Sequence, residues 1–321
     1  MRFAARLLIG FALAASSAAL AQGYPNKSIK VIVPWPPGQA TDAAARIATE
    51  KMGAQMGQQF VIDNRPGAGG TIGSEHAARA TPDGYTILAG SSGPISISPR
   101  VQKVPYDPEK DFEPICIIAS STYVLVANPT VPAKDYAEFV AFLKANPGKY
   151  TFASSGTGAT AHLVAEYFNS SVGITASHVP YKGSAPAVTD LIAGHVTYAF
   201  ETTASVLGHI KAGRLKAFAV SSPTRSVIVP ELPTIMEVGQ VPDFDVRAWI
   251  GLIGPTGIPR EARGRLANEC QKAVQAPEVK EKLLAAGLEP DSLPLDEIAP
   301  YLRKVGERFG AIARQAKIRL D

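Results

Sequence analysis

Past residue 28 the chain switches repeatedly between two hydrophobic rhythms. The β-branched run "SIKVIVPW" reads as a strand, and "DAAARIATEKMGAQM" behind it spaces its apolar residues as one face of a helix. "QFVIDNR", "TIGSEHAARA" and "YTILAGS" continue as strand, short helix and strand, which is a doubly wound half-domain. After "DFEPICIIAS" the alternation restarts. Strands are expected at "TYVLVANP", "KYTFASS", "ASHVPY", "VTYAFE" and "LKAFAVSS", with helices at "AKDYAEFVAFLKAN", "TAHLVAEYFNSS", "APAVTDLIAG" and "SVLGHIKAG". Such alternation predicts α/β layers with largely parallel strands. No repeat of about 20–50 residues is present, which argues against a solenoid.

Residues 223–245 are rich in proline and valine and read as a loop, after which "VRAWIGLIGP" returns as an apolar strand. The rest is helical in pattern: "REARGRLANECQKAVQ", "PEVKEKLLAAG" and "LDEIAPYLRKVGERFGAIARQAK". The chain is therefore expected to leave a first module near Ser120 and return to it near Val246. That gives one α/β domain from residues 22–120 plus 246–321 and a second from residues 121–245. A module inserted between two crossings makes a hinge with a cleft.

Residues 1–21 break this pattern. Arg2 and Arg6 precede an apolar run too short to span a bilayer, and Ala19-Leu20-Ala21 supplies a small-x-small ending. These features predict a secretory signal cleaved after Ala21, and with it a periplasmic protein. Removing the two arginines lowers the formal charge from +4 to +2. That balance, with 46% hydrophobic and 19% charged residues, asks for no nucleic acid and no anionic membrane. Cys116 lies in an apolar run and Cys270 in a helical pattern, so two separate buried thiols are expected, in a compartment that permits disulfides. With no CxxC and five scattered histidines, neither a metal nor a cofactor is expected.

The chemistry lies in the loops after the strands. In "VIVPWPPGQATD" three prolines stiffen the chain, Gly38 permits close backbone approach, and Thr41 or Asp42 can cap the next helix. The free N–H groups of that first turn favour an anion, and Trp35 suggests a lined pocket. "FASSGTGATAHL" repeats the device with Ser155, Thr157, Gly158 and Thr160. Read as a dinucleotide fingerprint it lacks the acid about 20 residues on, because "ASHVPYKG" stands there. Ser91 and Ser92, Tyr181 and Glu201 close other strands or open other helices. Glu201 reads as a solvated or hydrogen-bonded surface acid before it reads as a partner for a ligand ammonium. Such loops can hold a carboxylate without an arginine, and they hold few groups that could react.

The motifs "YPNKSIKVIVPWPPGQATD", "VIDNRPGAGGTIGSEHAARATPDGYTIL", "FASSGTGATAHL", "VPYKGSAPAVTDLIAGHV", "LPTIMEVG" and "WIGLIGPTGIP" follow in order. On them the chain, from Tyr24 to its end, resembles the Bug-type periplasmic solute-binding proteins of tripartite tricarboxylate transporters. The resemblance implies a two-domain, type II-like Venus flytrap that closes on a small organic acid and hands it to membrane permease subunits, most simply as a monomer. It places Trp35, Gly38, Thr41 and Asp42 on one side of the ligand and Ser155, Thr157, Gly158 and Thr160 on the other. Ser91, Ser92, Tyr181 and Glu201 carry over more loosely. Gln39-Ala40 stands where the family usually has glycine, and Trp35 where phenylalanine is common. Two alternatives stay open: a ligand-sensing subunit of a membrane receptor, and an exported hydrolase using Ser155 and His162.

Overall fold

The structure, a computed structural model, describes residues 23–315 and residue 318. The expected signal segment and its cleavage after Ala21 lie outside the described residues. Eleven strands form two sheets among those described. The first contains β1 (Ile29–Val33), β2 (Phe60–Asn64), β3 (Thr86–Ser91), β4 (Phe112–Ser121), β10 (Ala248–Pro255) and β11 (Glu289–Pro290), in the order β11-β4-β10-β3-β1-β2. The second contains β5 (Tyr123–Ala127), β6 (Thr151–Ser154), β7 (Ser177–Pro180), β8 (Tyr198–Thr202) and β9 (Lys216–Val220), in the order β7-β6-β8-β5-β9.

Both sheets are mixed, which corrects the expectation of largely parallel strands. β1 runs parallel to β2 and β3, and β6 parallel to β7 and β8. β10 is antiparallel to β3 and β4, and β5 antiparallel to β8 and β9. The reason is connectivity. β4 passes into β5 through Thr122 alone, so β5 enters its sheet at the edge where β6 and β8 finish, and must run against them. β10 re-enters the first sheet at the matching edge, where β1, β3 and β4 finish. Every cleft-facing edge is thus made of strand C-termini, plus the N-termini of β5 and β10, which carry the chain across, and of β11, which runs antiparallel to β4.

Helices cover the sheets: α1 (Ala40–Met56), α2 (Thr71–Ala78), α3 (Tyr136–Lys144), α4 (Thr160–Val172), α5 (Ser184–Ala193), α6 (Thr203–Lys211), α7 (Arg260–Gln275), α8 (Pro277–Ala285) and α9 (Leu295–Gln315). Most bury an apolar stripe, while α2 (Thr71–Ala78) buries Thr71, Gly73, Ser74 and Ala77. α7 lays Leu266, Cys270, Ala273 and Val274 on the first sheet, with Leu266 and Val274 each contributing roughly 1.5–3 kcal/mol. Residues 223–245 are not wholly loop, because Thr234 and Glu237 form a capping box that starts a short helix, Ile235–Gly239.

Cys116 and Cys270 form a disulfide with their Cα atoms 6.3 Å apart. This overturns the expectation of two separate thiols. Both cysteines are buried as expected, but only the tertiary fold lays α7 across β4, where Arg263 also reaches the Pro114 carbonyl and Glu113. The bond closes a loop 154 residues long, so it stabilises the fold by restricting the unfolded chain. No helix among the described residues is long and apolar enough to cross a membrane.

Candidate functional site

The strand ends of the two sheets face each other, and the loops leaving them meet. From the first sheet, Val33 ends β1 and the rigid turn 34–39 delivers the chain to α1. The N-cap is Gln39, not Thr41 or Asp42, and its side chain makes no capping bond. Asp42 instead turns back on the loop: one carboxylate oxygen accepts the Gly38 N–H at 2.8 Å and Arg46 Nε–H at 2.9 Å, and the other accepts Asn64 Nδ2–H at 2.9 Å. Asn64 also donates to the Trp35 carbonyl. Burial pushes the Asp42 carboxyl upward, but the Arg46, Gly38 and Asn64 donors outweigh it and hold the group below the usual carboxylate range. Asp42 is therefore a brace for the loop, with its oxygens already engaged, and not a group facing a ligand.

Trp35 is buried, and its Nε1–H donates to Ser91 Oγ at 3.0 Å. Ser92 points elsewhere and accepts the Trp249 backbone N–H at 2.9 Å. Trp35, Gln39, Thr41 and Ser91 line one side of a cavity; Ser155, Thr160, Tyr123 and Thr202 line the other. Its volume is about 20 Å³, room for about one water. Two wider chambers flank it. One of about 300 Å³ lies between residues 36–39 and Ser184, Thr189, Ser205 and His209; one of about 200 Å³ lies between Trp35, residues 66–69 and residues 155–157 with Tyr181. Gln39 belongs to both the central cavity and the larger chamber, and its buried Oε1 has no partner. A wider hollow, about 650 Å³, sits over the C-terminal half of α1 and the start of β2. No strand C-terminus or helix start opens into it, so size does not decide the site.

Of the residues expected from sequence, Trp35, Thr41, Ser91, Ser155 and Thr160 converge on the cavity. Gly38, Thr157 and Tyr181 lie on the flanking chambers, with Thr157 exposed and the Tyr181 hydroxyl donating to Asp190 at 2.6 Å. Gly158 has φ +77°, and a Cβ there would meet Ser98 Oγ and Gln102 Nε2 of the other lobe at 3.1 Å, so its smallness serves lobe contact. Glu201 departs from its reading as a surface acid: it is 0% exposed on β8, and neither carboxylate oxygen completes a hydrogen bond. Burial pushes its pKa up to about 7, although the nearby Ser184 hydroxyl and Thr202 N–H pull it down. The tertiary fold slides α5 over β8, which no local pattern around "YAFETT" announces. Tyr123, Ser121 and Thr202 were missed as cavity residues. Ser121 and Tyr123 carry a positional signal, since they flank the crossing at Thr122, and Thr202 carries the same signal as the other strand ends, since it closes β8.

The second jaw is held by two imidazoles. His178 of β7 stacks on His162 of α4 with ring centres 3.9 Å apart, and Phe152 stacks against His178 at 5.0 Å. Ser154 Oγ lies 2.7 Å from His178 Nε2 and also binds both the N–H and the carbonyl of Gly156. The Gly158 N–H donates a long bond, 3.4 Å, to His162 Nδ1. Burial, then the neighbouring His162, pushes His178 down to about 3. His162 is thus committed to the loop backbone, and no imidazole stands as base to Ser155. Among the described residues no three His, Cys, Asp or Glu side chains gather as a metal site.

A family model described as "Tripartite tricarboxylate transporter family receptor" matches residues 44–318. Protein BugT of Bordetella pertussis is 34% identical over 302 residues, covering 94% of this chain and 92% of that protein. An R. palustris protein solved with adipate superposes with a TM-score of 0.89 at 29% identity, covering 92% of this chain and 99% of that one. MatC from Rhodopseudomonas palustris with bound malate gives 0.83 at 28% identity, covering 90% and 99%.

Proposed function

The chain belongs to the tripartite tricarboxylate transporter receptor family, whose members are solute-binding proteins and not enzymes, and from that premise we propose how it works. It captures a small organic carboxylate between two lobes, residues 22–120 plus 246–321 and residues 121–245. The observation that carries this reading is the convergence of two strand-to-helix loops, at Gln39 and Thr41 and at Ser155 and Thr160, on one cavity. Each presents the first turn of a helix, where unpaired N–H groups and the dipole favour an anion. The relatives solved with adipate and malate hold dicarboxylates, which supports the same class here.

The central cavity takes about one water, so the ligand enters when the lobes part, and the lobes then close around it less tightly than they meet here. Closure also brings together surfaces from both lobes that a permease can read. Trp35, Thr41, Ser91, Ser155 and Thr160 contact the ligand, and Gly38, Asp42, Ser92 and Gly158 shape the loops. Gln39 Oε1 offers an acceptor to a ligand hydroxyl or ammonium. Residues 1–21 direct export to the periplasm, and the mature chain delivers its ligand as a monomer to the membrane subunits of its transporter.

The test is a thermal-shift screen of residues 22–321, refolded to strip carried-over ligand, against aliphatic, hydroxy-, aromatic and amino-acid carboxylates. Ligand at about 100 times its Kd adds roughly 2.7 kcal/mol of stability. A shift with one class, and the compound unchanged afterwards, is expected; no shift with any acid overturns the carboxylate reading.

A further inference from the structure

The second jaw has no charged brace like Asp42, yet its loop must be as well fixed. Two glycines, Gly156 and Gly158, sit in it at φ +139° and +77°, conformations that leave the backbone free to move unless something holds it. Ser98 Oγ–H donates to the Gly158 carbonyl at 3.3 Å and the Gly183 N–H to the Ser155 carbonyl at 3.2 Å, and the imidazole pair adds to these. His178 engages Ser154, and Ser154 closes on the N–H and carbonyl of Gly156. With the Ser154 proton directed to the Gly156 carbonyl, His178 Nε2–H is the donor to Ser154. His162 accepts from the Gly158 N–H through Nδ1, which leaves its proton on Nε2, 3.6 Å from Glu166 Oε1.

We propose that His162 and His178 are positioning residues that hold the loop 155–160 as a neutral pair, and that a proton on the pair loosens the ligand grip. This rests on the reading of that loop as the carboxylate-binding jaw. A proton on His162 Nδ1 removes the acceptor for Gly158. A proton on His178 brings a charge to within 3.9 Å of a second ring, in a site that Phe152 keeps apolar on the other face. The surrounding titratable groups are Glu166, one turn along α4 from His162, and Tyr198 of β8 beyond Phe152, whose hydroxyl donates to Asn169. Burial and the neighbouring His162 ring hold His178 far below the ordinary histidine range.

The experiment is a pH titration of residues 22–321 by NMR, following the ring signals of both histidines and the amide signals of Gly156 and Gly158. His178 is expected to take up its proton well below pH 6.5, and the two glycine amides to move with the rings. Glycine amides that stay still while the rings titrate would overturn the proposal. Two variants separate positioning from packing. His178→Phe keeps a stacked ring but loses the bond to Ser154, and should weaken adipate or malate binding at pH 7.5 at least tenfold without lowering the unfolding midpoint. His178→Gln restores a donor, and should recover affinity to within about threefold of the parent. Wild-type affinity in the Phe variant, or equal loss in both, rejects the role. If neither probe binds the parent, the carboxylate reading is what fails, and the NMR titration still decides the pair.

Discussion

The two jaws solve one problem by opposite means. The first is stiffened by Pro34, Pro36 and Pro37 and clamped by the Asp42 carboxylate, which ties together Gly38, Arg46 and Asn64. The second has glycines where the first has prolines, and neutral rings where the first has charges. Both braces are lost to a proton in acid, the first because Asp42 gives up its charge and the second because His178 acquires one. Rigidity at a binding site therefore does not identify its own cause; the partners of each loop do.

The largest expected effect comes from forcing the jaws apart. Gly69 of the first lobe has φ +64°, and a Cβ there would lie 2.5 Å from the Thr157 carbonyl of the second. Gly69→Ala should weaken ligand binding by about 2–4 kcal/mol through strain and clash in the closed form. Small-angle scattering should show a more open molecule, and an unchanged closed profile would refute the contact's role. Removing the charged brace comes next. Asp42→Ala leaves the Gly38 N–H without an acceptor and Asn64 Nδ2 with the Trp35 carbonyl alone, a cost of about 2–3 kcal/mol in urea unfolding. Because the folded carboxyl is depressed, Asp42's contribution is present above its unfolded pKa of 3.8 and lost as pH falls through the folded value. The variant should therefore match the parent only in strong acid.

Glu201 tests the uncharged side of the contrast. Its folded pKa, about 7, lies above the unfolded 4.5, so the unfolded chain sheds its proton first as pH rises. Stability then falls between pH 4.5 and 7 and stays lowered above. Glu201→Gln should abolish that fall and gain about 1–3 kcal/mol at pH 8, with little difference at pH 4. Equal denaturation midpoints at pH 8 would mean that burial does not raise the Glu201 pKa. The smallest effect sharpens the second jaw itself. Thr157 is exposed on a flanking chamber, so Thr157→Val should change affinity by less than about 0.5 kcal/mol, a difference calorimetry resolves.

Much of this was legible in sequence because it is local. Strand and helix periods, the proline-stiffened turn at Trp35, and the glycine-serine loop before Thr160 all declare themselves within a dozen residues. The direction of β5 and β10 was not, since strand sense depends on where the chain re-enters a sheet. Cys116 and Cys270 read as buried, but pairing depended on α7 crossing β4. Thr157 and Thr160 look alike in "SSGTGAT", yet the positive φ of Gly156 and Gly158 turns one to solvent and the other to the cavity. His178 gave no local sign of its role, because its partner His162 lies 16 residues away on another element.

The most direct measurement is calorimetric affinity for the acid that gives the largest thermal shift, in the parent, Thr41→Val, Thr160→Val and the double variant. One hydroxyl comes from each jaw. Each single change should cost about 1–3 kcal/mol, and the double variant should lose more than either. Unchanged affinity in both single variants would contradict a ligand held between the two helix starts.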